Sequence, residues 1–202
     1  MPAKRTWAPQ EIYQIKVTLL GTSPPIWRRL LVPAGVTLEQ LHDVLQAAMG
    51  WEDCHMHEFS KGDRRLGPPN PGDRLMWAPD VEDEGTVSLF SVLGRVGAKM
   101  LYTYDFGDDW EHGIVLEKRL ALDPDLSYPV CTGGQRACPP EDCGGIWGFH
   151  DLLNAIRDPN HEQHEELLDW VGEEFDPQAF SVDEVNRRLM PRPRRVKQAA
   201  GN

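Results

Sequence analysis

Residues 12–20 alternate apolar and polar positions. Tyr13, Ile15, Val17 and Leu19 oppose Gln14, Lys16 and Thr18. That two-residue period predicts a half-buried strand. Gly21-Thr-Ser-Pro-Pro25 reads as a turn. Alternation resumes over Ile26 to Val32, with Ile26, Leu30 and Val32 on one face and Trp27, Arg29 and Leu31 on the other. Two such runs with a short connector predict a hairpin. The period then changes. Thr37 and Gln40 have capping-box spacing, and Leu38, Leu41, Val44 or Leu45, and Ala48 follow at helical intervals, with Gly50 as the stop.

His55-Met-His-Glu-Phe59 predicts the start of a third strand, with His55, His57 and Phe59 on one face. Residues 61–84 are rich in Gly, Pro and Asp and read as a surface excursion, with a short extended piece around Leu75 to Trp77. Thr86 to Leu93 fits either a short helix or a strand. Met100 to Phe106 and Trp110 to Leu120 predict an aromatic hairpin around a tight acidic turn. Residues 123–146 read as loop. Three amphipathic helices follow. The first carries Phe149, Leu152, Leu153 and Ile156 and stops before Pro159. The second carries His164, Leu167, Leu168 and Val171 and ends at Gly172. The third carries Val182, Val185 and Leu189, with Ser181 and Glu184 at capping-box spacing and Pro191 as its stop. Strands gathered early and helices gathered late predict an α+β fold. The expected architecture is a mainly antiparallel sheet with hairpins, one early helix and a C-terminal helical group. The expected organisation is one domain over 11–190, a lead-in over 1–10 and a basic, Pro-containing tail over 191–202.

Composition narrows the function. The 202 residues are 40% hydrophobic and 26% charged, with net charge −11, which predicts a soluble globule. The acidic balance argues against nucleic acid as the main ligand. Its one local exception is the tail, Arg187-Arg188 through Arg192, Arg194, Arg195 and Lys197. No apolar run spans a bilayer, and Met1 to Pro9 lacks the apolar core of a signal peptide. The expectation is a cytoplasmic protein whose four cysteines are thiols.

Four features carry candidate chemistry. His55-x-His57 would place two imidazoles on one strand face, near enough to share a metal. Asp105, Asp108, Asp109, Glu111 and His112 crowd one turn and are hard-to-borderline ligands, but Asp and Gly are also ordinary turn residues. Alternation turns Asp105 away from Tyr104 and Phe106, and puts His112 on the face of Trp110 and Ile114. Cys131, Cys138 and Cys143 form a loop-borne thiol set for structural zinc, without the C-x2-C knuckle. Pro139-Pro-Glu-Asp-Cys-Gly-Gly145 is a rigid loop able to present Glu141 and Asp142 as acid/base groups or ligands, or to cap the next helix. P-loop, G-x-G-x-x-G, G-x-S-x-G and H-E-x-x-H motifs are missing. His161 and His164 read as solvent-exposed.

Together these segments resemble the plasmid pRiA4b ORF-3-like family, whose members also carry a TnpR-like transposon passenger label. The matching pieces are Ile26-Trp-Arg-Arg29, Trp51 with His55-Met-His-Glu-Phe59, Tyr104-Asp-Phe-Gly-Asp-Asp-Trp-Glu-His112 and Pro139 to Gly145. Phe175-Asp-Pro177 and the helix of Val185-Asn186 also match. The resemblance covers roughly residues 10 to 190 and implies a compact α+β domain. It implies no particular reaction. A serine resolvase needs an activated N-terminal serine and a basic helix-turn-helix. Here Ser23 sits in a Pro-rich turn, and no recognition module is visible.

Two readings follow. The first is a binding or accessory domain, with a pocket lined by His55, His57, Asp105, Trp110 and His112 and closed by Glu141 and Asp142. Polar groups interrupting aromatic strands need a partner when buried. A peptide, a protein, a small molecule or a divalent metal, zinc first, would fill it. Arg28 and Asp108 belong to the same candidate binding set, and Arg28-Arg29 can balance the acidic turn. The second is a metal-dependent hydrolase. His55, His57 and His112 or Asp105 would hold the ion, and Glu141 or Asp142 would act as general base on bound water. It requires at least three ligands to converge at one point. DNA binding through the basic tail is a third reading.

Overall fold

The computed structural model describes residues 11–68, 81–172 and 175–190. The lead-in, the extended piece at Leu75 to Trp77 and the tail beyond residue 190 lie outside the described residues. Among the described residues eight strands form one sheet: Glu11–Leu19 (β1), Ile26–Pro33 (β2), His57–Lys61 (β3), Arg64–Gly67 (β4), Val81–Asp83 (β5), Lys99–Tyr104 (β6), Trp110–Ala121 (β7) and Val130–Gln135 (β8). Their order is β5-β4-β3-β6-β7-β1-β2-β8. Every pairing is antiparallel except β4 with β5. The helices are Leu38–Met49 (α1), Leu89–Val92 (α2), Gly145–Arg157 (α3), His164–Val171 (α4) and Val182–Leu189 (α5). The fold is α+β, as the pattern of elements predicts.

Alternation explains the layering. Tyr13, Ile15, Val17 and Leu19 are buried and pair across the hairpin with Val32, Leu30, Arg28 and Ile26. These inward residues share one core with Leu38, Leu41 and Leu45 of α1, Phe149 and Leu152 of α3, and Val185 and Leu189 of α5. The opposite face is polar. There Arg29 pairs with Glu117 at 2.7 Å, and Lys16 and Arg29 lie over the Trp27 ring. One buried and one wet face is the usual solution for an antiparallel sheet.

Helix α1 follows its signals closely. Gln40 N donates to Thr37 Oγ1, Thr37 N donates to Gln40 Oε1, and Gly50 takes φ +94° as the terminator. Helices α3, α4 and α5 occupy the three predicted segments, with Gly172 closing α4 and Ser181 capping α5. His161 and His164 are both half-buried instead of exposed, with His164 Nδ1 2.8 Å from Ala155 O.

Four short strands depart from the expected pattern. β8 lies inside the segment read as loop. Gly133 and Gly134 interrupt its alternation, and a bulge opposite Arg29/Leu30 breaks its register with β2. The glycine at 134 is required by close packing, since a Cβ there would overlap the Phe180 ring. β4 and β5 lie at the ends of the expected excursion and are too short to show a period. β3 starts at His57, not His55. Thr86 to Leu93 resolves as helical, with a 3-10 turn over Glu84–Thr86 leading to α2, which Ser88 caps.

Candidate functional site

His57, Tyr104 and Trp110 form one cross-strand row at an end of β3, β6 and β7. The loop entering β3 and the loop joining β6 to β7 therefore meet there. A third loop, Pro139 to Gly144, arrives ahead of α3. Asp53, Asp105, Asp109 and Asp142 all adopt positive φ, between 54° and 57°. Asp tolerates that region better than most residues because its side chain bonds locally. Asp105 does so, with Oδ1 accepting from Gly107 N at 2.8 Å.

The loops are tied to one another. Glu52 N donates to Glu141 Oε1 at 2.9 Å, and Tyr104 OH donates to the same oxygen at 3.2 Å. Cys54 N donates to Tyr104 OH at 3.1 Å, and Trp51 Nε1 donates to Pro139 O at 3.0 Å. Asp108 Oδ2 accepts from Gly144 N at 3.1 Å. Burial, then the Cys54 contact and the Glu141 charge, push the Tyr104 phenol well above its ordinary pKa, so it stays a donor.

This framework gathers one imidazole and three carboxylates. His55 Nε2 lies 3.1 Å from Asp142 Oδ1, 3.6 Å from Asp105 Oδ2 and 3.8 Å from Glu141 Oε2. The Asp105 side chain is only 10% exposed. His55 Nε2 and Glu141 Oε2 are both shut off from solvent and make no hydrogen bond; the approach to Asp142 is short but misaligned. The ligand atoms of His55, Asp105 and Asp142 lie within 4.8 Å of one another, as do those of Cys54, His55 and Glu141. With metal–ligand bonds of about 2.1 Å, neighbouring donors of an octahedral or tetrahedral shell stand about 3.0–3.4 Å apart. The His55–Asp142 and His55–Asp105 separations are close to that edge. An open depression of about 410 Å³ leads to the cluster, walled by Met56 and Phe106.

The other predicted site residues go elsewhere. His57 faces inward, and its Nε2 sits 3.0 Å from both oxygens of the buried Glu84. Its ring stacks on His42 at 3.5 Å and 7°. Gln46 Nε2 donates to Tyr102 OH at 3.0 Å, so that phenol donates to His42 Nδ1, leaving His42 Nε2–H for Asp53 Oδ1 at 2.7 Å. Burial, reinforced by His57, lowers the His42 pKa, consistent with this neutral tautomer. His42, Asp53 and His57 also bring ligand atoms within 4.8 Å. Parallel stacked rings, however, hold their in-plane lone pairs in parallel planes, which suits a proton network better than a shared metal.

His112 is fully buried, its Nδ1 3.3 Å from Tyr102 O and its pKa pushed down to about 4 by burial. His55, His57 and His112 thus meet three different sets of partners and do not form one ligand set. Trp110 is a core residue beside Trp51. Arg28 does not balance the acidic turn. Its guanidinium donates to Ala48 O, Trp27 O and Gln135 O and lies over Phe180, while Arg29 takes Glu117.

Asp108 acts as the tie between loops. The three loop cysteines stay apart. Cys131 Sγ faces Gly133 O, Cys138 Sγ lies between Arg28 and Met49, and Cys143 is pushed up to about 12 by burial and then Asp108. Sequence reasoning missed His42, Asp53, Cys54 and Glu84, and named Tyr104 only as an aromatic of the acidic hairpin. The only signals were the adjacency of Asp53 and Cys54 to His55, and His42 sitting four residues before Gln46 on the inner helix face.

An antiparallel sheet backed by helices, with an imidazole–carboxylate cluster where three loops meet, defines the class of domain. The chain belongs to the plasmid pRiA4b ORF-3-like protein family, whose model matches residues 11–184. It is 39% identical over 180 residues to the uncharacterized protein y4hQ of Sinorhizobium fredii (strain NBRC 101917 / NGR234), covering 88% of this chain and 90% of that protein. The crystal structure of MM3350, a protein of unknown function from Methanosarcina mazei Go1, has a TM-score of 0.79 to it at 36% identity. That match covers 87% of this chain and 97% of the other. No helix among the described residues is long and apolar enough to cross a membrane.

Proposed function

We propose that this domain binds a divalent metal ion, zinc or a similar first-row cation, through His55, Asp105 and Asp142, with Glu141 beside it. One observation carries the reading. His55 Nε2 is desolvated and without a hydrogen bond, yet three carboxylates lie within 3.8 Å of it. Asp105 and Glu141, with side chains only 10% and 19% exposed, and the more exposed Asp142 concentrate negative charge around one ring nitrogen, and a cation offsets it. A nitrogen and carboxylate oxygens suit zinc, manganese or iron(II), and the neighbouring Cys54 thiol favours the softer of these. The thiol set at Cys131, Cys138 and Cys143 and the His42–His57 stack are not part of this site. The basic tail lies outside the described residues, and a mobile-element setting rests on the family's name alone.

Elemental mass spectrometry of the untagged protein tests the reading, with zinc and manganese titration calorimetry on metal-stripped samples. The expected result is about one ion per chain, lost in His55→Ala and kept in Cys138→Ala and His57→Phe. Wild-type protein that neither carries nor takes up zinc or manganese refutes it.

A further inference from the structure

Resting on that metal reading, we propose that the site is hydrolytic. Glu141 is the general base for a metal-bound water, and the substrate is a neutral carbonyl compound, an amide or ester with an apolar flank. Three protein ligands leave a coordination position open, as in catalytic rather than structural metal sites. Glu141 differs from its neighbours. Its Oε1 is held by two donors, Tyr104 OH and Glu52 N. Its Oε2 is desolvated and makes no hydrogen bond, its one charged contact being His55 Nε2 at 3.8 Å. That is wider than the roughly 3.0–3.4 Å between neighbouring donors of one shell. A carboxylate with one oxygen fixed and the other free beside the shell is placed to take a proton from bound water.

Charge selects the substrate. Two aspartates neutralise a divalent ion, and Glu141 leaves the site at −1. Among the described residues no Lys or Arg lines the depression beside His55 and Asp105, and in the cleft that Glu141 and Asp142 line both arginines are held elsewhere, Arg28 by the Ala48 and Gln135 carbonyls and Arg188 by Glu184. Phosphoryl transfer relies on cationic clamps around its oxygens, so phosphate esters are poor candidates. A neutral carbonyl meets no such repulsion, and Met56 and Phe106, 49% and 57% exposed, offer apolar contact beside the cluster.

The step balances without a redox partner. As the water oxygen bonds to the carbonyl carbon, its proton passes to Glu141 Oε2 and the carbonyl π pair moves to oxygen. Collapse breaks the C–N or C–O bond, and Glu141 returns the proton to the departing nitrogen or oxygen. The products are a carboxylic acid and an amine or alcohol.

The experiment uses the full chain loaded with zinc, and separately with cobalt(II), as wild type and Glu141→Gln. Metal content and thermal melting are checked for both. Probes are p-nitrophenyl esters and N-acyl-aminoacyl p-nitroanilides with apolar acyl groups, alongside bis(p-nitrophenyl) phosphate. The expected result is ester or anilide cleavage that falls at least about 100-fold in Glu141→Gln with its metal retained, and no phosphodiester cleavage. The pH midpoint of the cobalt visible bands should also shift by at least about one unit in the variant, a readout that needs no substrate. Metal-loaded wild type no faster than free ion overturns the proposal, as do equal rates in the two proteins, equal cobalt midpoints or phosphodiester preference. Each of these leaves metal binding intact. Failure to bind metal at all overturns both readings.

Discussion

The pair of Glu84 and His57 allows a sharp test of what holds the region behind the site together. Glu84 is 2% exposed and His57 8%, and both carboxylate oxygens stand 3.0 Å from His57 Nε2. Replacing either alone strands the other in a dry environment, which costs about 3 kcal/mol. Glu84→Leu keeps much of the volume, and His57→Phe keeps the stack on His42. Replacing both removes the stranded group, so the double variant should lie within about 1 kcal/mol of wild type. The cycle then gives a coupling energy of about 5 kcal/mol. Urea unfolding at pH 7.5 with a chelator present keeps metal binding out of the measurement. For a chain of this length, about 3 kcal/mol corresponds to a fall in Tm of about 6–12 °C in each single variant. Single-variant costs below about 1 kcal/mol, or costs that simply add in the double variant, would refute the assignment of a mutually dependent buried pair.

Three further outcomes are expected. Burial holds His112 near pKa 4 in the native chain against 6.5 for the free group. Between those values the unfolded chain binds a proton that the native one refuses. Stability should therefore fall as pH drops from about 6.5 to 4, by up to about 1.4 kcal/mol per unit. His112→Phe should flatten that acid limb by close to one proton, and equal slopes in urea melts across pH would count against it. Gly145 has φ +67°, and a Cβ there would run into Asp108 O, whereas Gly97 has φ +81° and open space around it. Gly145→Ala should lower metal content without touching a ligand and cost more than about 2 kcal/mol. Gly97→Ala should cost only the left-handed penalty of about 1–2 kcal/mol and keep its metal; matching losses in calorimetry would refute the loop-tie argument. Arg28→Leu should cost about 2 kcal/mol by taking the guanidinium donors from the buried Ala48 carbonyl and the part-buried Gln135 carbonyl. Arg28→Lys should not restore it in thermal melts, since an ammonium lacks the guanidinium's spread of donors.

What could be read ahead of the structure follows from where local physics is decisive. β1 and α1 show their periods because each has one buried and one exposed face, and α1 also carries both capping signals. β8, β4 and β5 are short or glycine-interrupted, so their pairing partners define them more than their own residues do. The site divides in the same way. Its acidic turn and Pro-Pro-Glu-Asp loop stand out by composition alone. The pairing of His55 with His57 assumed that strand alternation reached back to His55, yet β3 begins at His57. One histidine therefore stays in the loop layer, and the other enters the core. The consequence is chemical. A residue still in a loop can meet Asp142 from a distant segment, while one locked into the sheet row takes the nearest buried acid, Glu84. Glu84 itself was hidden in a stretch whose glycines and prolines suggested surface, and His42 in a helix face read for its apolar members. The register of a single strand end thus decides which histidine is available to a ligand and which one stabilises the fold. The sequence contains both imidazoles but not that boundary.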